Sequence, residues 1–178
     1  MKLFDLHCDT LYECCETGRV LRENDLHINR PAVQQYAHYA QFFALFCGAR
    51  APDGAAARTR RCLLDTPPEE RFDRMLQTAR REFAANADWL MPCTSAAELD
   101  AAARAGKAAA FLSVEGAELL PDREDALQIA YDAGVRMIAP VWNRCSRFGC
   151  PAAVDQEQGL TQSGRGLVQA CAARGIIV

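Results

Sequence analysis

A unit of capped helix, glycine and apolar strand, repeated along the second half of the sequence, constrains the fold more than any other feature. Ser95 and Glu98 form a capping box that predicts a helix ending near Gly106, followed by a buried strand over 107–114. The unit then recurs twice. In the second unit, Asp122 is the predicted cap, the helix ends at Gly134 and the strand covers 135–141. In the third, Thr161 is the predicted cap, the helix ends at Gly175 and a strand begins at 176–178.

The first half of the sequence supplies two more predicted strands, over 2–6 and 40–47, and a long helix that opens at Thr66. Five apolar residues of that helix share one face and predict core packing: Phe72, Met75, Leu76, Ala79 and Phe83.

Continuously apolar strands that alternate with helices indicate an α/β fold, a parallel sheet covered by helices. A doubly wound sheet and a TIM-barrel (β/α)8 type both fit this order of elements. A complete eight-stranded barrel needs about 250 residues. We therefore expect 1–178 to be a single domain and, if a barrel, a partial one of about four to five parallel strands with surrounding helices, truncated at the fifth strand.

Charge and apolar runs limit the partners of the protein. Acidic and basic residues are interspersed, with a formal net charge of −3, so no basic stripe exists for nucleic acid. No apolar run approaches the roughly 18 residues of a membrane span. The first residues do not resemble a signal peptide. We expect no membrane association and a cytoplasmic location.

The chain contains 9 cysteines, an odd number that includes the adjacent pair Cys14 and Cys15. We interpret most of them as small buried apolar residues in a reducing compartment. Cys145 and Cys150 leave a zinc-binding pair open as a further interpretation.

Three side chains of metal-binding type follow predicted strands. His7 and Asp9 come directly after the first strand, and Glu115 ends an apolar strand just before Gly116. Imidazole nitrogen and carboxylate oxygen suit zinc, and a carboxylate is costly to bury unless it is paired or metal-bound. A hydrogen-bonded loop pair and a salt bridge of Glu115 to an arginine are the alternatives. We predict metal binding by His7, Asp9 and Glu115 at the edge where barrel enzymes keep their active sites.

Trp142 and Asn143 open a long loop after the predicted strand over 135–141. Long loops that follow strands often carry function or shape a pocket. We predict substrate binding by these two residues, with a core position as the alternative for Trp142.

The ordered set of motifs resembles the amino-terminal portion of the membrane (renal) dipeptidases, a family of zinc metallopeptidases. The matching segments are FDLHCDTL at 4–11, AQFFALF at 40–46, SVEGAE at 113–118, GVRMI at 134–138, WN at 142–143, GLT at 159–161 and RGIIV at 174–178. The likeness covers essentially the whole chain.

This resemblance implies a (β/α) barrel with a two-zinc site and hydrolysis of a dipeptide substrate. His7 and Asp9 would bind one zinc ion, and Glu115 would bridge both ions as the catalytic carboxylate. A hydroxide between the metals would attack the peptide carbonyl. The family also implies a homodimer.

The sequence departs from the family pattern in its histidines. Trp142 stands where some relatives have a histidine near the substrate. The two histidines that bind the second zinc are absent, and we expect His27 and His38, the only others, to be structural or solvent-facing. This chain alone should therefore bind zinc poorly and hydrolyse dipeptides inefficiently.

Two other functions compete with the dipeptidase interpretation. A different barrel hydrolase, such as an amidohydrolase acting on cyclic amides, more often opens with His-x-His, and Asp9 in the second place favours the dipeptidase. A non-catalytic partial barrel that serves as an interaction module is the third interpretation. The presence of all three metal-type residues argues against it.

Overall fold

The computed structural model describes residues 1–46 and 66–178. These ranges contain five strands: β1 (Lys2–Asp5), β2 (His38–Phe46), β3 (Leu90–Pro92), β4 (Ala108–Glu115) and β5 (Val135–Ala139). They also contain six α-helices and one 3-10 turn: α1 (Thr10–Thr17), α2 (Arg30–Val33), α3 (Pro68–Ala85), α4 (Ala96–Arg104), the turn Ala117–Leu119, α5 (Ala126–Asp132) and α6 (Gln162–Ala173).

Every pairing within the sheet is parallel. β1 pairs with β2, and β2 pairs with β4. β3 and β5 both pair with β4, β3 along its first residues and β5 along its last. Beyond β5, Ile177 forms a parallel bridge to Met137, which is where the sequence predicts the beginning of the next strand. The α/β class with a parallel sheet is confirmed.

Most of the predicted elements are confirmed within a few residues. The predicted strand over 40–47 is β2, although Cys47 lies outside the described residues. The caps at Ser95 and Thr161 accept hydrogen bonds from the backbone of Glu98 and Gly164. The helix between these two, α5, differs from its prediction.

The predicted cap at Asp122 is wrong. α5 begins at Ala126, after Asp125, and Asp122 instead pairs with Arg147 across the surface. β3 and the short helices α1 and α2 were not anticipated. β3 has 3 residues and ends in proline, which is too short for a period-two pattern to show.

The two faces of the sheet pack against different helices. On one face, the predicted stripe of α3 is fully confirmed as core, and Phe83 contacts Phe43 edge-to-face at 5.4 Å. On the other face, Phe42 and Phe111 pack with their ring centroids 5.1 Å apart and Phe4 stacks on both. The fully buried Ala102 of α4 belongs to this second cluster. Among the described residues, no helix is both long and apolar enough to cross a membrane.

The cap of α4 makes its stability depend on pH. The Glu98 carboxylate accepts hydrogen bonds from the Thr94 backbone N–H at 2.6 Å and from the Thr94 hydroxyl at 2.8 Å. The Thr94 backbone hydrogen bond is the main cause that holds the pKa of Glu98 below its ordinary value. Ionised Glu98 therefore stabilises the fold at neutral pH, and this contribution is lost as the pH falls through the lowered pKa.

We predict that Glu98→Gln lowers the melting temperature at pH 7 and that the difference from the unmodified protein shrinks towards zero in acid. Thermal unfolding followed by circular dichroism across this pH range measures it. Glu157→Gln, at an exposed loop position, is the control and should change the melting temperature little at any pH. A difference for Glu98→Gln that stays constant with pH would contradict the ionic cap.

Candidate metal centre

His7 and Asp9 leave the end of β1 with an anchor between them. The Cys8 side chain is buried, and its carbonyl oxygen accepts a hydrogen bond from the Ala44 N–H of β2 at 3.0 Å. Burial of Cys8 and this hydrogen bond hold the segment against β2, with His7 on one side of Cys8 in the chain and Asp9 on the other. Both side chains are about half exposed.

Glu115 reaches the same place from the end of β4. In the parallel register it lies opposite Phe46, the last residue of β2. It shares its side of β4 with Phe111, since alternate residues of a strand point the same way. This side, on which Phe4, Phe42 and Phe111 stack, is called here the aromatic face of the sheet. Glu115 stands at its carboxyl end, towards which the segment after β1 continues through the hydrogen bond between Cys8 and Ala44.

The three side chains meet there. His7 Nε2 lies 3.5 Å from Asp9 Oδ1 and 3.7 Å from Glu115 Oε2. One ligand atom from each of the three residues lies within 4.8 Å of the others. The structure thus brings together all three residues that the sequence singles out as metal-type side chains.

The donor set and its spacing suit a zinc ion. Zinc binds imidazole nitrogen and carboxylate oxygen at about 2.0–2.2 Å, and two such ligands at a tetrahedral angle are about 3.4 Å apart. The separations of 3.5 and 3.7 Å from His7 Nε2 are close to that value. A small closing movement of the side chains would be sufficient to hold the ion.

The electrostatics of Glu115 also favour a cation. Burial is the main cause that raises the pKa of Glu115 above its ordinary value, and the neighbouring Asp9 carboxylate raises it further. His7 and a hydrogen bond from Trp142 act in the opposite direction. A divalent cation beside two carboxylates would offset both causes of the raised pKa.

Trp142 lies beside this cluster as well. Its indole lies close enough to the Glu115 carboxyl group to lower the pKa of that group, and its ring packs edge-to-face on Phe46 with centroids 4.5 Å apart. It is half-buried, whereas Asn143 next to it is exposed. Trp142 is therefore both a packing residue and a neighbour of the metal-type carboxylate, so its two predicted roles are compatible.

Gly116 makes the turn after Glu115 and has a backbone that other residues rarely adopt. Its φ is +86°, and a Cβ there would stand 2.9 Å from the carboxyl carbon of Glu118. The Glu118 carboxyl group thus fills the space beneath the turn. One of its oxygens is buried without a hydrogen-bond partner among the described residues, and burial raises the pKa of this carboxyl. Nothing in the sequence pattern singles out Glu118 for this place.

The other histidines lie away from the cluster, as predicted. His27 is exposed in the loop before α2, and His38 is half-buried as the first residue of β2, at the opposite end of the strand.

The cysteines among the described residues comprise one disulfide, four buried thiols and one partly exposed thiol. Cys145 and Cys150 are bonded to each other, so the alternative of a zinc-binding pair is wrong because neither sulfur is a free thiolate. Cys8, Cys14, Cys93 and Cys171 are buried, as expected, and Cys15 is partly exposed. Burial raises the pKa of the Cys8 and Cys14 thiols to about 12, which keeps them protonated and unreactive.

Comparison with known proteins identifies the family. The sequence model of the membrane dipeptidases (Peptidase family M19) matches residues 1–178, and the chain belongs to this family. An uncharacterized protein of Acinetobacter calcoaceticus, described as lying in the PQQ-III 3'region, is 36% identical over 92 residues. That match covers 48% of this chain and 29% of the relative.

Solved structures share the fold. The dipeptidase AC, a metallopeptidase of the same family, superposes on this chain with a TM-score of 0.80 at 24% identity. The superposed region covers 99% of this chain and 56% of the dipeptidase AC chain. A metallopeptidase from Rhodobacter sphaeroides, liganded with a phosphinate mimic of the dipeptide L-Ala-D-Ala, has a TM-score of 0.79 at 24% identity, with coverages of 99% and 57%. The likeness confirms a partial (β/α) barrel. The chain spans somewhat more than half the length of these solved proteins.

We predict that Gly116→Ala weakens zinc binding. An alanine at φ +86° is strained, at a cost of about 1–3 kcal/mol, and we expect the backbone to relax by a shift that moves the adjacent Glu115, while the Glu118 carboxyl group moves aside for the new Cβ. Competition with a chromophoric chelator measures the zinc affinity, and urea unfolding measures the stability.

Gly106→Ala is the matched control. Gly106 also has a positive φ of +66°, but a Cβ there meets nothing within 4 Å, and the residue lies after α4, before the first residue of β4. This variant should lose about 1–2 kcal/mol of stability and keep its zinc affinity. Equal zinc affinities in the two variants would contradict a role of the Gly116 turn in the site.

We predict that Trp142→Phe makes zinc binding more sensitive to acid. The phenyl ring preserves the contact with Phe46 but removes the indole hydrogen bond that lowers the pKa of Glu115. That pKa should therefore rise, and protons should compete with zinc at higher pH. Zinc affinity measured between pH 5 and 8 should begin to fall at a higher pH in the variant.

Trp89→Phe is the control for this experiment. The Trp89 indole donates to Asn86 at 2.7 Å, at the end of α3 and away from the cluster. Its loss should leave the pH profile of zinc binding unchanged. Identical profiles for the two tryptophan variants would show that the Trp142 hydrogen bond does not act on Glu115.

Proposed function

We propose that this chain is the amino-terminal part of a zinc-dependent dipeptidase, which hydrolyses the peptide bond of dipeptides. The observation that carries the proposal is the convergence of His7, Asp9 and Glu115 at the carboxyl edge of the parallel sheet. Their side chains remain 47%, 51% and 27% exposed, so a small substrate can reach them. Membership of the membrane dipeptidase family supports the same reaction class.

The three residues have different proposed roles. His7 Nε2 and an Asp9 oxygen would hold one zinc ion, and Glu115 would bridge to a second. Zinc bound there would polarise the peptide carbonyl and lower the pKa of a water molecule. Glu115 and Asp9 would supply the negative charge that retains the ions, and the Trp142 indole beside Glu115 would favour the ionised form of that carboxyl group. No Ser or Cys nucleophile is required, and the nearest thiol, Cys8, is buried and protonated.

A dipeptide is the proposed substrate. The Rhodobacter sphaeroides metallopeptidase is liganded with a mimic of L-Ala-D-Ala, which suggests dipeptides of this size for the present chain. Trp142 lies close to Glu115, and the exposed Asn143 follows it in the loop after β5; we propose that both residues contact the substrate. Homodimer formation and a cytoplasmic location stay predictions from the sequence.

A second zinc ion would need further ligands, and among the described residues the cluster at this place consists of His7, Asp9 and Glu115. The sequence contains two other histidines, and both lie away from the cluster. We propose that strands beyond 1–178 in a longer barrel complete the site, in keeping with the coverage of 56–57% of the solved relatives. The 178-residue chain alone would then bind zinc weakly and turn over dipeptides slowly.

We predict that His7→Ala lowers the zinc affinity of the chain by on the order of tenfold or more, because it removes the one nitrogen donor of the cluster. Glu115→Gln should lower it as well, since it removes a negative charge while preserving the shape of the side chain. Zinc content after dialysis and chelator competition measure both effects. Hydrolysis of L-Ala-D-Ala, in this chain or in a longer barrel that contains it, should fall with the zinc affinity.

His27→Ala is the control, because His27 is exposed and outside the cluster. It should bind zinc as the unmodified chain does. If His7→Ala and His27→Ala retain the same zinc affinity, the proposed metal site is wrong. If zinc binds as proposed but no dipeptide is hydrolysed by the longer barrel, the non-catalytic interpretation would replace the dipeptidase.

A further inference from the structure

Gln41 is a fully buried polar side chain in the middle of an apolar strand. β2 runs from His38 to Phe46, and the exposure of Gln41 is 0%. A buried amide costs free energy unless its hydrogen bonds are satisfied. An apolar residue at this position would avoid that cost. The role of Gln41 therefore depends on the hydrogen bonds that it makes.

Those hydrogen bonds connect β2 to the end of β1. The Gln41 Nε2 donates to the Phe42 carbonyl at 2.9 Å and, over a longer 3.4 Å, to the Asp5 carbonyl. Its Oε1 accepts a hydrogen bond from the buried Tyr39 hydroxyl at 2.5 Å. Because the tyrosine donates to the oxygen, the amide is held with its N–H groups towards β1. The orientation of Gln41 is therefore fixed from both ends.

Asp5 connects the hydrogen bonds of Gln41 to the metal-type residues. It is the last residue of β1 and pairs with Gln41 in the parallel register. Its carboxylate accepts the backbone N–H of His7 at 3.1 Å. The turn from Asp5 to His7 is thus held by its carbonyl, through Gln41, and by its carboxylate, through His7 itself. The Cys8 carbonyl bonded to Ala44 fixes the next residue to the same strand.

We propose that Gln41, oriented by Tyr39, is a positioning residue that sets the direction in which His7 leaves β1 and so places its imidazole towards Glu115. The inference rests on the proposed metal site. Gln41 does not touch the ligand atoms. It acts through the Asp5 carbonyl, in the way that residues behind metal ligands commonly fix ligand orientation.

The alternative is that Gln41 serves only the pairing of β1 with β2. In that case its loss would lower the stability of the fold and leave the zinc affinity unchanged. A positioning role instead predicts a loss of zinc affinity that is larger than stability alone explains. Zinc affinity and stability must therefore be measured on the same variants, at zinc and urea concentrations where each protein is folded.

Gln41→Met and Tyr39→Phe are the test variants. Methionine preserves the volume of glutamine but has no amide, and phenylalanine removes only the hydroxyl that orients it. Gln41→Met should lower zinc affinity by roughly 10- to 100-fold, as losses of such supporting residues do. Tyr39→Phe should lower it by a smaller factor, about threefold or more, on the same scale.

Asn86→Leu is the matched control. Asn86 is another buried amide, 1% exposed, and it joins the Glu82 carbonyl and the Trp89 indole at the end of α3. Its loss should lower the stability to urea. The zinc affinity should remain within about twofold of the unmodified chain, since Asn86 shares no hydrogen-bond partner with Gln41 or with the three metal-type residues. This control separates a general loss of stability from a specific loss of positioning.

The outcomes distinguish this inference from the proposed function. If the unmodified chain binds zinc, His7→Ala abolishes that binding, and Gln41→Met binds as tightly as Asn86→Leu, the positioning role is wrong and the metal site stands. If His7→Ala does not affect zinc binding, the metal site itself is wrong. Should Gln41→Met fail to fold, Tyr39→Phe decides, and zinc affinity equal to that of the unmodified chain overturns the positioning role.

Discussion

The parallel pairing of β2 with β4 is the interaction on which the arrangement of this protein depends. It sets Phe46 opposite Glu115 and, through β2, joins β1 to the rest of the sheet. Since all strands run the same way, residues that follow β1, β4 and β5 arrive at one edge. Side chains far apart in the chain, such as His7 and Glu115, thereby come within 3.7 Å of each other. A shift of one residue in the register would turn Glu115 to the opposite face, which packs against α3.

The aromatic face forms a floor beneath the candidate site. Ala102 of α4 belongs to the same cluster as Phe42 and Phe111, and Phe4 stacks on both of these rings. Glu115 lies four residues after Phe111 in β4, with Trp142 beside it. Apolar rings below and beside a carboxylate remove water from one side, which is why burial leads the causes that raise its pKa. The neighbouring Asp9 carboxylate adds repulsion, so the site attracts a cation.

Much of this arrangement could be predicted from the sequence, because long apolar strands and capped helices leave clear patterns. The apolar and capping patterns predicted β1, β2, β4 and β5, and the position of His7, Asp9 and Glu115 after strand ends predicted that these three side chains meet. Other features were missed for physical reasons. β3 is too short to show a period. The helix predicted to begin after Asp122 begins instead at Ala126. No sequence rule shows that Cys145 and Cys150 bond to each other rather than to a metal.

Gln41 shows which kind of residue sequence reasoning overlooks. Its segment reads as an ordinary buried strand, and a single polar residue inside it changes neither the length nor the period of the pattern. The physical signal was nevertheless present, because an amide in a strand buried on both faces must find partners within the protein. Those partners, Tyr39 and the Asp5 carbonyl, lie where β1 turns into the candidate ligands. The buried amide of Gln41 therefore connects β2 to the strand end that precedes His7, which is the basis of the positioning role proposed for it.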